Sequence, residues 1–216
     1  MSERTVEDRL REEYFALLPE SRRLLEELEA EVRHCLLPLS SSLDRFEKIE
    51  VNSRIKDCES ALGAVRRRQE FATFDPDRAD SYTLTALHDL AGARVLVFPR
   101  SRWREANDAL RRHPVFSSWA SDPVPSDDGS TEPLAFKYHG SCLRNTKLKA
   151  ELQIVPMLTG LFWEVEHSAI YKPSPQLKGV LASLEMQQPI REVYRALGMF
   201  EAEFERLVRS APLDRH

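Results

Sequence analysis

The chain has 216 residues, of which 42% are hydrophobic and 31% charged, so it can bury a sizeable core and form one compact domain. The longest uncharged stretch, residues 152–163, contains a proline and is shorter than the roughly 18 to 20 residues that span a bilayer. The first residues alternate acid and base where a secretory signal needs an apolar run, so we expect a cytoplasmic protein without a membrane segment.

Cysteine and glycine usage narrows the functional classes further. Cys35, Cys58 and Cys142 are far apart and odd in number, which argues against a disulfide framework or a zinc knuckle and indicates reduced thiols. There are seven glycines, about half the usual share, and none lies in a GxxxxGK[ST] or GxGxxG motif. A nucleotide site in this chain must therefore hold phosphate with cationic side chains and a metal.

The charge is unevenly distributed along the chain. The whole chain has a net charge of −4, whereas residues 51–112 carry 12 basic and 9 acidic side chains, a local charge of +3. The overall balance argues against wholesale wrapping of nucleic acid, and the positive middle third is the part suited to a polyanion.

Apolar periodicity predicts helices in the first part of the chain. Leucines recur at three- and four-residue spacing over residues 6–37, and Pro19 is predicted to divide this segment into two helices. Beyond it we expect a break at 37–43, a short strand at 46–51, a helix at 57–71 and a loop at 74–82.

The second part of the chain alternates predicted strands and helices. We expect a helix at 83–89, a buried strand at 93–98, a helix at 102–112 and a long mobile loop at 119–133. Strands at 134–143 and 148–155 follow, then a helix at 158–171 and one or two helices over 176–208, divided near Pro189. This order predicts an α+β fold with a mixed sheet.

Two clusters of polar residues lie in the first half of the chain, one well before the predicted buried strand and one at its start. Arg54 and Lys56 alternate on an extended segment and aim two cations at one polyanion, although a solvated basic face is the alternative. Asp89 is placed as a ligand for a hard cation, and Arg94 can clamp phosphate or stack on a base. The alternative is a capped turn in which Asp89 pairs with Arg94.

Two further clusters follow in the second half. Alternation along the predicted strand places Glu151 and Gln153 on one face, where the carboxylate can complete a magnesium site or act as a general base; a polar solvent face is the alternative. His167 and Lys172 can reach phosphate, with a hydrogen-bonded structural histidine as the alternative. Acids from two strands are a minimum set for metal-assisted phosphoryl transfer.

In this order the clusters resemble the synthetase domain of the RelA/SpoT family. The family pattern comprises RxKxxxS, D[IL]xGxR, YxGxH and ExQ segments and a W…EHxxxYK helix. The matching segments here are RIKDCES at 54–60, DLAGAR at 89–94, a divergent region near Tyr138, ELQ at 151–153 and WEVEHSAIYK at 163–172. The resemblance covers residues 45–175.

The resemblance implies a fold and a reaction. The fold is a nucleotidyltransferase-like mixed β-sheet flanked by N- and C-terminal helices, in a single synthetase domain with helices at 1–44, a catalytic core at 45–175 and helices at 176–216. The reaction moves the β,γ-pyrophosphate of ATP to the 3′-hydroxyl of GDP or GTP with Mg²⁺, making (p)ppGpp-type alarmones of the stringent response.

It also implies roles for individual residues. On the ATP side, Arg54 and Arg94 sandwich the adenine, while Lys56 and Ser60 contact the phosphates. The metal ligands and the acceptor residues are implied in the same way. Asp89 and Glu151 hold Mg²⁺, Glu151 is also the candidate base, and the acceptor side comprises Tyr138, Gln153, His167 and Lys172.

The sequence departs from the family pattern at two places. Ala64 stands where a lysine commonly follows the serine, and one of the arginines at 66–68 can replace its charge. The YxGxH segment fits in two registers. The one that keeps Gly140 retains Tyr138 to stack on guanine and replaces the histidine by Cys142, and we favour it; the one anchored on His139 places Ala135 at the tyrosine position.

The resemblance to stand-alone small alarmone synthetases leaves the acceptor and the partners open. GDP or GTP is favoured, and the alternatives are an adenine nucleotide or the 3′ end of tRNA, the latter as a toxin with an antitoxin partner. A catalytically inactive nucleotide-binding module and a purely structural helical adaptor are the other hypotheses. We also expect a homo-oligomer and no attached hydrolase domain.

Overall fold

A five-stranded mixed sheet lies at the centre of the protein. The computed structural model describes residues 5–69, 73–125, 133–144, 146–170 and 184–210. Its strands are β1 (Lys48–Ile55), β2 (Ala91–Phe98), β3 (Ala120–Val124), β4 (Ala135–Gly140) and β5 (Ala150–Pro156). Its α-helices are α1 (Val6–Ser40), α2 (Cys58–Arg67), α3 (Arg100–Arg112), α4 (Met157–Ile170) and α5 (Leu184–Ser210). The predicted α+β class with a mixed sheet is therefore confirmed.

The strands are arranged in the order β1-β2-β5-β4-β3. The central pair, β2 and β5, is parallel, and each of the other neighbouring pairs is antiparallel. Because successive side chains point to opposite faces, the side chains of each strand divide into two sets, one for each face of the sheet. In β5 the set Ala150, Leu152 and Ile154 is fully buried, which agrees with the predicted alternation of this strand.

The two faces of the sheet are covered to different extents. Helices α1 and α3 pack on the face that carries Val95 and Leu152, and this layer contains most of the core. On the other face, α4 packs over a smaller apolar cluster that includes Leu96, Ala135 and Val155. The remaining part of this second face is left to polar side chains.

The N-terminal segment forms one long helix, so the prediction of two helices divided at Pro19 is wrong. Leu10, Leu24 and Leu28 form a buried stripe that continues past the proline and packs on the sheet. Pro19 lies on the exposed side, where water can bond the carbonyl that lacks an amide partner. Packing therefore outweighs the local preference for a break, and the helix also extends through most of the break predicted at 37–43.

Three other segments differ from the sequence predictions. The helix predicted at 83–89 is only a single 3-10 turn at Leu84–Ala86. The loop predicted at 119–133 contains the edge strand β3, which pairs with β4, while residues 126–132 lie outside the described part. α5 is continuous from Leu184 through Pro189, without the predicted division there. The three-part division of the domain at residues 45 and 175 stays a prediction.

Helix α5 packs beside α3 and α4, and its Phe204 also contacts aromatic rings before β1 and at the end of β2. The Phe204 ring centroid lies 5.4 Å from that of Phe46 and 5.2 Å from that of Phe98. Glu201 is 1% exposed, and burial raises the pKa of its carboxyl to about 7, with Glu205 adding to the rise and Arg100 opposing it. The contact between α5 and the domain therefore includes a carboxylate whose charge is unfavourable at neutral pH.

Among the helices that the structure describes, none combines the length and the apolar character needed to cross a bilayer.

Replacing Pro19 by alanine should stabilise the protein. The Pro19→Ala variant restores an amide donor and removes the ring from the helix interior, so the free energy of unfolding should rise by about 1 to 3 kcal/mol. Chemical denaturation measures the change. Pro38→Ala, in the last turn of the same helix, should give a smaller gain, and a Pro19→Ala variant no more stable than the wild type would contradict the account of α1.

Replacing Glu201 by glutamine should stabilise the protein in a pH-dependent way. The folded-state pKa of about 7 exceeds the ordinary 4.5, so the contribution of Glu201 to stability falls as the pH rises through that window. Glu201→Gln should therefore raise the free energy of unfolding by about 1 to 3 kcal/mol at pH 8, and the gain should shrink towards pH 5. The exposed control Glu203→Gln should show no gain; a gain for Glu201→Gln that is equal at both pH values would exclude this explanation.

Candidate functional site

Two rows of polar side chains cross the uncovered part of the sheet. In the first row Arg54 on β1 is level with Gly92 on β2, and Gly92 is level with Glu151 on β5 and so with His139 on β4. Because Gly92 has no side chain, no side chain separates Arg54 from Glu151 on this face of the sheet. The second row contains Arg94 and Gln153, two residues later on β2 and β5, and Lys137, two residues earlier on the antiparallel strand β4.

Lys56 and Asp89 meet at the end of the sheet beside the first row. Lys56 directly follows β1, Asp89 shortly precedes β2, and the Lys56 amide donates to the Leu90 carbonyl at 2.9 Å. Their side chains form an ion pair in which Lys56 is 14% exposed and Asp89 31% exposed. Lys56, from the first polar cluster of the sequence, and Asp89, from the second, thus form a pair that an incoming phosphate or cation can reach.

A polar pocket of about 390 Å³ brings the two candidate carboxylates together. Asp89 reaches it from the segment just before β2, and Glu151 reaches it from β5. The pocket is also lined by Lys56, Ala64, Arg67, Arg68, His88 and His139. Ser60 is not one of its lining residues; it lies in the first turn of α2, where its amide donates to the capping carboxylate of Asp57 at 2.9 Å.

The guanidinium of Arg94 is held by three neighbours. Its Nε donates to Gln153 Oε1 at 2.9 Å, its Nη1 donates to Glu164 Oε1 at 3.1 Å, and its Cζ lies 5.6 Å from the centroid of the Trp163 ring. Burial lowers the pKa of Arg94, and the like charge of Arg54 lowers it further. The planar cation is therefore fixed in orientation on the same side of Glu151 as Arg54, a geometry suited to stacking.

His139 is the principal site residue that the favoured motif register missed. Its Nε2 lies 4.0 Å from Glu151 Oε2 and 3.7 Å from Asp122 Oδ2. Its ring centroid is 5.3 Å from that of His88, whose pKa is lowered by burial and by the nearby charges of Lys149 and other cations. An imidazole therefore stands beside the candidate base on the side away from Arg54.

Tyr138 lies on the opposite face of the sheet, away from these residues. It is 1% exposed, and its hydroxyl donates to Asn107 Oδ1 at 2.6 Å in the core beneath α3. Because neighbouring residues of a strand alternate, His139 can face the pocket only if Tyr138 does not. The structure therefore places Tyr138 in the core and places His139, which anchors the alternative register, at the pocket.

The other two residues of the favoured register also have packing roles. Burial raises the pKa of the Cys142 thiol to about 12, and Cys142 packs against the main core. A β-carbon at Gly140 would lie 2.3 Å from the Trp119 ring, so the strand end accepts no larger residue without a rearrangement. Gly140 is therefore explained by contact with an aromatic ring of the core.

Two predicted acceptor side chains are not among the described ones. Lys172 and the side chain of His167 lie outside the described residues, although the backbone of α4 includes residue 167. Gln153 is placed: it bonds Arg94 and donates to Glu151 Oε1. It thus connects the arginine of the second row with the carboxylate of the first.

The carboxylates of the pocket fit a magnesium ion that is shared with a substrate. Within the described part of the chain, no three His, Cys, Asp or Glu side chains form a metal-binding group. Proteins usually hold Mg²⁺ through one or two carboxylates and the phosphates of the substrate, with waters completing the shell. Asp89 and Glu151, at the edge of a pocket that also holds cations, are a donor set of that kind.

No protein-family model matches this chain, and no curated protein matches its sequence. Its fold does match solved structures. Small alarmone synthetase 1 from Bacillus subtilis superposes with a TM-score of 0.64 at 17% identity, covering 90% of this chain and 96% of that chain. Small alarmone synthetase 2 from Bacillus subtilis gives 0.63 at 16% identity, covering 92% and 99%. A GTP pyrophosphokinase family protein from Streptococcus pneumoniae gives 0.57 at 18% identity, covering 90% and 92%.

This chain therefore has the fold of the small alarmone synthetases, as the sequence resemblance implied. The Bacillus subtilis synthetase 1 has also been solved bound to its product pppGpp and bound to AMPCPP. At identities of 16 to 20%, the likeness is one of fold.

The placement of Tyr138 predicts a stabilising role for its hydroxyl. Tyr138→Phe leaves the buried Asn107 oxygen without its donor and should lower the free energy of unfolding by about 1 to 3 kcal/mol. Urea denaturation measures the loss. Adding Asn107→Leu should recover part of it, since both polar partners are then removed. An unchanged stability in Tyr138→Phe would argue against the buried hydrogen bond.

Proposed function

We propose that the protein is an ATP-dependent 3′-pyrophosphokinase that acts on GDP or GTP. The observation that carries this proposal is the convergence of Asp89, just before β2, and Glu151, on β5, on one pocket that also contains Lys56. The sequence resemblance and the shared fold support the same reaction.

The donor side of the proposed site lies on β1 and β2. Arg54 and Arg94 share one sheet face, and ATP binds with its adenine stacked between the two guanidinium groups. Lys56 then exchanges its bond to Asp89 for a bond to the ATP phosphates, with Ser60 at the start of α2 as a further phosphate ligand. Positive charge is thus delivered by side chains, as the scarcity of glycine requires.

Asp89 and Glu151 are the residues that would hold Mg²⁺. When bound, the ion neutralises phosphate charge and thereby makes the phosphorus more susceptible to attack. All other functions in the proposed mechanism belong to side chains of this chain.

The chemical step takes place at Glu151. Its carboxylate accepts the proton of the acceptor 3′-hydroxyl as that oxygen forms a bond to the β-phosphorus of ATP. The bond from the β-phosphorus to the oxygen that bridges it to the α-phosphate breaks, and AMP leaves. Gln153 and His139 flank the carboxylate and position it, and Gln153 holds Arg94 as well.

The acceptor occupies the side of Glu151 formed by β4. His139 replaces Tyr138 among the proposed acceptor residues because it shares the pocket with Glu151. His167 and Lys172 remain proposed from the sequence pattern alone.

Transfer to GDP or GTP is the direct test of this function. Purified protein with labelled ATP, Mg²⁺ and GDP or GTP should release AMP and form a 3′-pyrophosphorylated nucleotide, separated by ion-exchange chromatography. Asp89→Asn and Glu151→Gln should lower the rate by at least about 100-fold, because each removes charge from the metal ligands or the base. Both variants are nearly isosteric.

Two controls make the result specific. Asp108→Asn, an exposed acid on α3, should keep the wild-type rate, and thermal unfolding should show that all variants are folded. Parallel reactions with ADP, AMP and tRNA separate the proposed acceptor from the alternatives. Transfer to none of these acceptors by a folded wild-type protein would refute the proposed activity.

A further inference from the structure

Glu151 has a polar surface on each side. The arginine pair on β1 and β2 is proposed to hold ATP, and the transfer joins two substrates at Glu151. The surface on β4 and β3 is therefore the one available to the acceptor. Beyond His139, the polar side chains that β4 and β3 place on this face are Lys137 and Asp122.

Lys137 and Asp122 are neighbours across the pair of strands. They are directly opposite in the register of β3 and β4, so their side chains share a face, and Lys137 is level with Gln153 on the other side. Asp122 is 73% exposed, and its Oδ2 lies 3.7 Å from His139 Nε2. A lysine and a carboxylate thus lie on neighbouring strands and on the same face as the histidine of the pocket.

Trp163 forms a wall behind Lys137. The Lys137 Nζ lies 5.8 Å from the centroid of the Trp163 ring, and that ring packs against the apolar cluster of Ala135 and Val155. The contact is a cation–π interaction, which fixes the ammonium at the end of the polar surface. The flat ring also provides this face with an aromatic surface.

The pair lies at the distance of a nucleobase from the reacting group. Lys137 is one strand away from Glu151 and two residues further along, which corresponds to about 5 Å across the sheet and about 7 Å along it. This separation is on the scale of one nucleoside, so a ribose whose 3′-hydroxyl lies at Glu151 can place its base beside Lys137 and Asp122.

The charges of the pair complement one purine and oppose the other. Guanine presents an acceptor at O6 and donors at N1 and N2, whereas adenine presents a donor at N6 and an acceptor at N1. An ammonium beside O6 and a carboxylate beside N1 and N2 satisfy guanine. With adenine the same two groups face a donor and an acceptor of the wrong kind, which disfavours binding.

We propose that Lys137 and Asp122 read the base of the acceptor and select guanine over adenine, with Trp163 holding Lys137 in position. The inference rests on the proposed function, because it takes Glu151 as the reacting group. It assigns acceptor specificity to side chains outside the motifs that suggested the reaction.

The sharpest test of this proposal is whether substitution of Asp122 or Lys137 changes which nucleobase the enzyme prefers in the acceptor. Asp122→Asn replaces an acceptor by an amide that can donate, so it should lower kcat/KM for GDP by roughly 10- to 100-fold and raise it for xanthosine diphosphate, whose C2 carries a carbonyl. Lys137→Met should lower kcat/KM for GDP by a similar factor and leave that for ADP nearly unchanged. Rescue by xanthosine diphosphate is a result that general damage to the site cannot produce.

Matched controls come from the same sheet and from α3. Lys48→Met, at the far end of β1, and Asp108→Asn, on α3, should retain the wild-type ratio of GDP to ADP use. An Asp122→Asn variant that is active but keeps the wild-type order of GDP, xanthosine diphosphate and ADP would overturn the inference, and so would a wild type that prefers ADP.

The failure of this inference is distinguishable from the failure of the proposed reaction. The wild-type transfer assay reports on the reaction alone. Calorimetric binding of GDP, ADP and xanthosine diphosphate to the wild type and to Asp122→Asn tests base reading without any transfer. The same exchange of preference in the dissociation constants supports the inference, and equal affinities of the wild type for all three refute it.

Discussion

The parallel pairing of β2 with β5 determines where the polar groups of the site lie. Gly92 opposite Glu151 brings the start of one strand beside the carboxylate of the other, and Asp89 precedes that start by two residues. The antiparallel partners on either side then add Arg54 to one flank and His139 to the other. A shift of β5 by one residue would turn Glu151 into the core and expose Leu152, so burial of the apolar set also enforces the geometry of the polar one.

The second face of the sheet serves two purposes along its length. At one end α4 covers it with apolar side chains, and at the other end it stays open and polar. Trp163 stands at the boundary, where its ring contacts the apolar cluster and also lies near the cations of Arg94 and Lys137. This arrangement lets a single helix stabilise the fold and orient charged side chains without lining the pocket.

The sequence predicts local structure correctly where one physical preference dominates the pattern. The alternation of β5 places Glu151 and Gln153 together because the leucine between them and the isoleucine after them must be buried. The prediction fails at Pro19. The rule that proline interrupts a helix considers only neighbouring residues, whereas the packing that keeps α1 continuous involves residues far apart in the sequence. Other errors arose where two physical preferences compete.

The segment AFKYHG is such a case. Its phenylalanine and tyrosine form one alternating set, and its lysine and histidine form the other, so periodicity alone does not say which set faces the core. Pairing with β5 decides, and it buries Tyr138. The composition of β3 predicts a loop because it contains proline, serine and aspartate, residues that a central strand excludes and an edge strand tolerates.

That edge strand has a consequence for how the sheet ends. An unpaired strand edge offers backbone groups to any other extended chain, and proteins protect such edges with charge and proline. β3 carries both, in Asp122 and Pro123, and it is short and exposed along most of its length. A further strand therefore finds a poor template here, and the sheet resists growth from this side into aggregates.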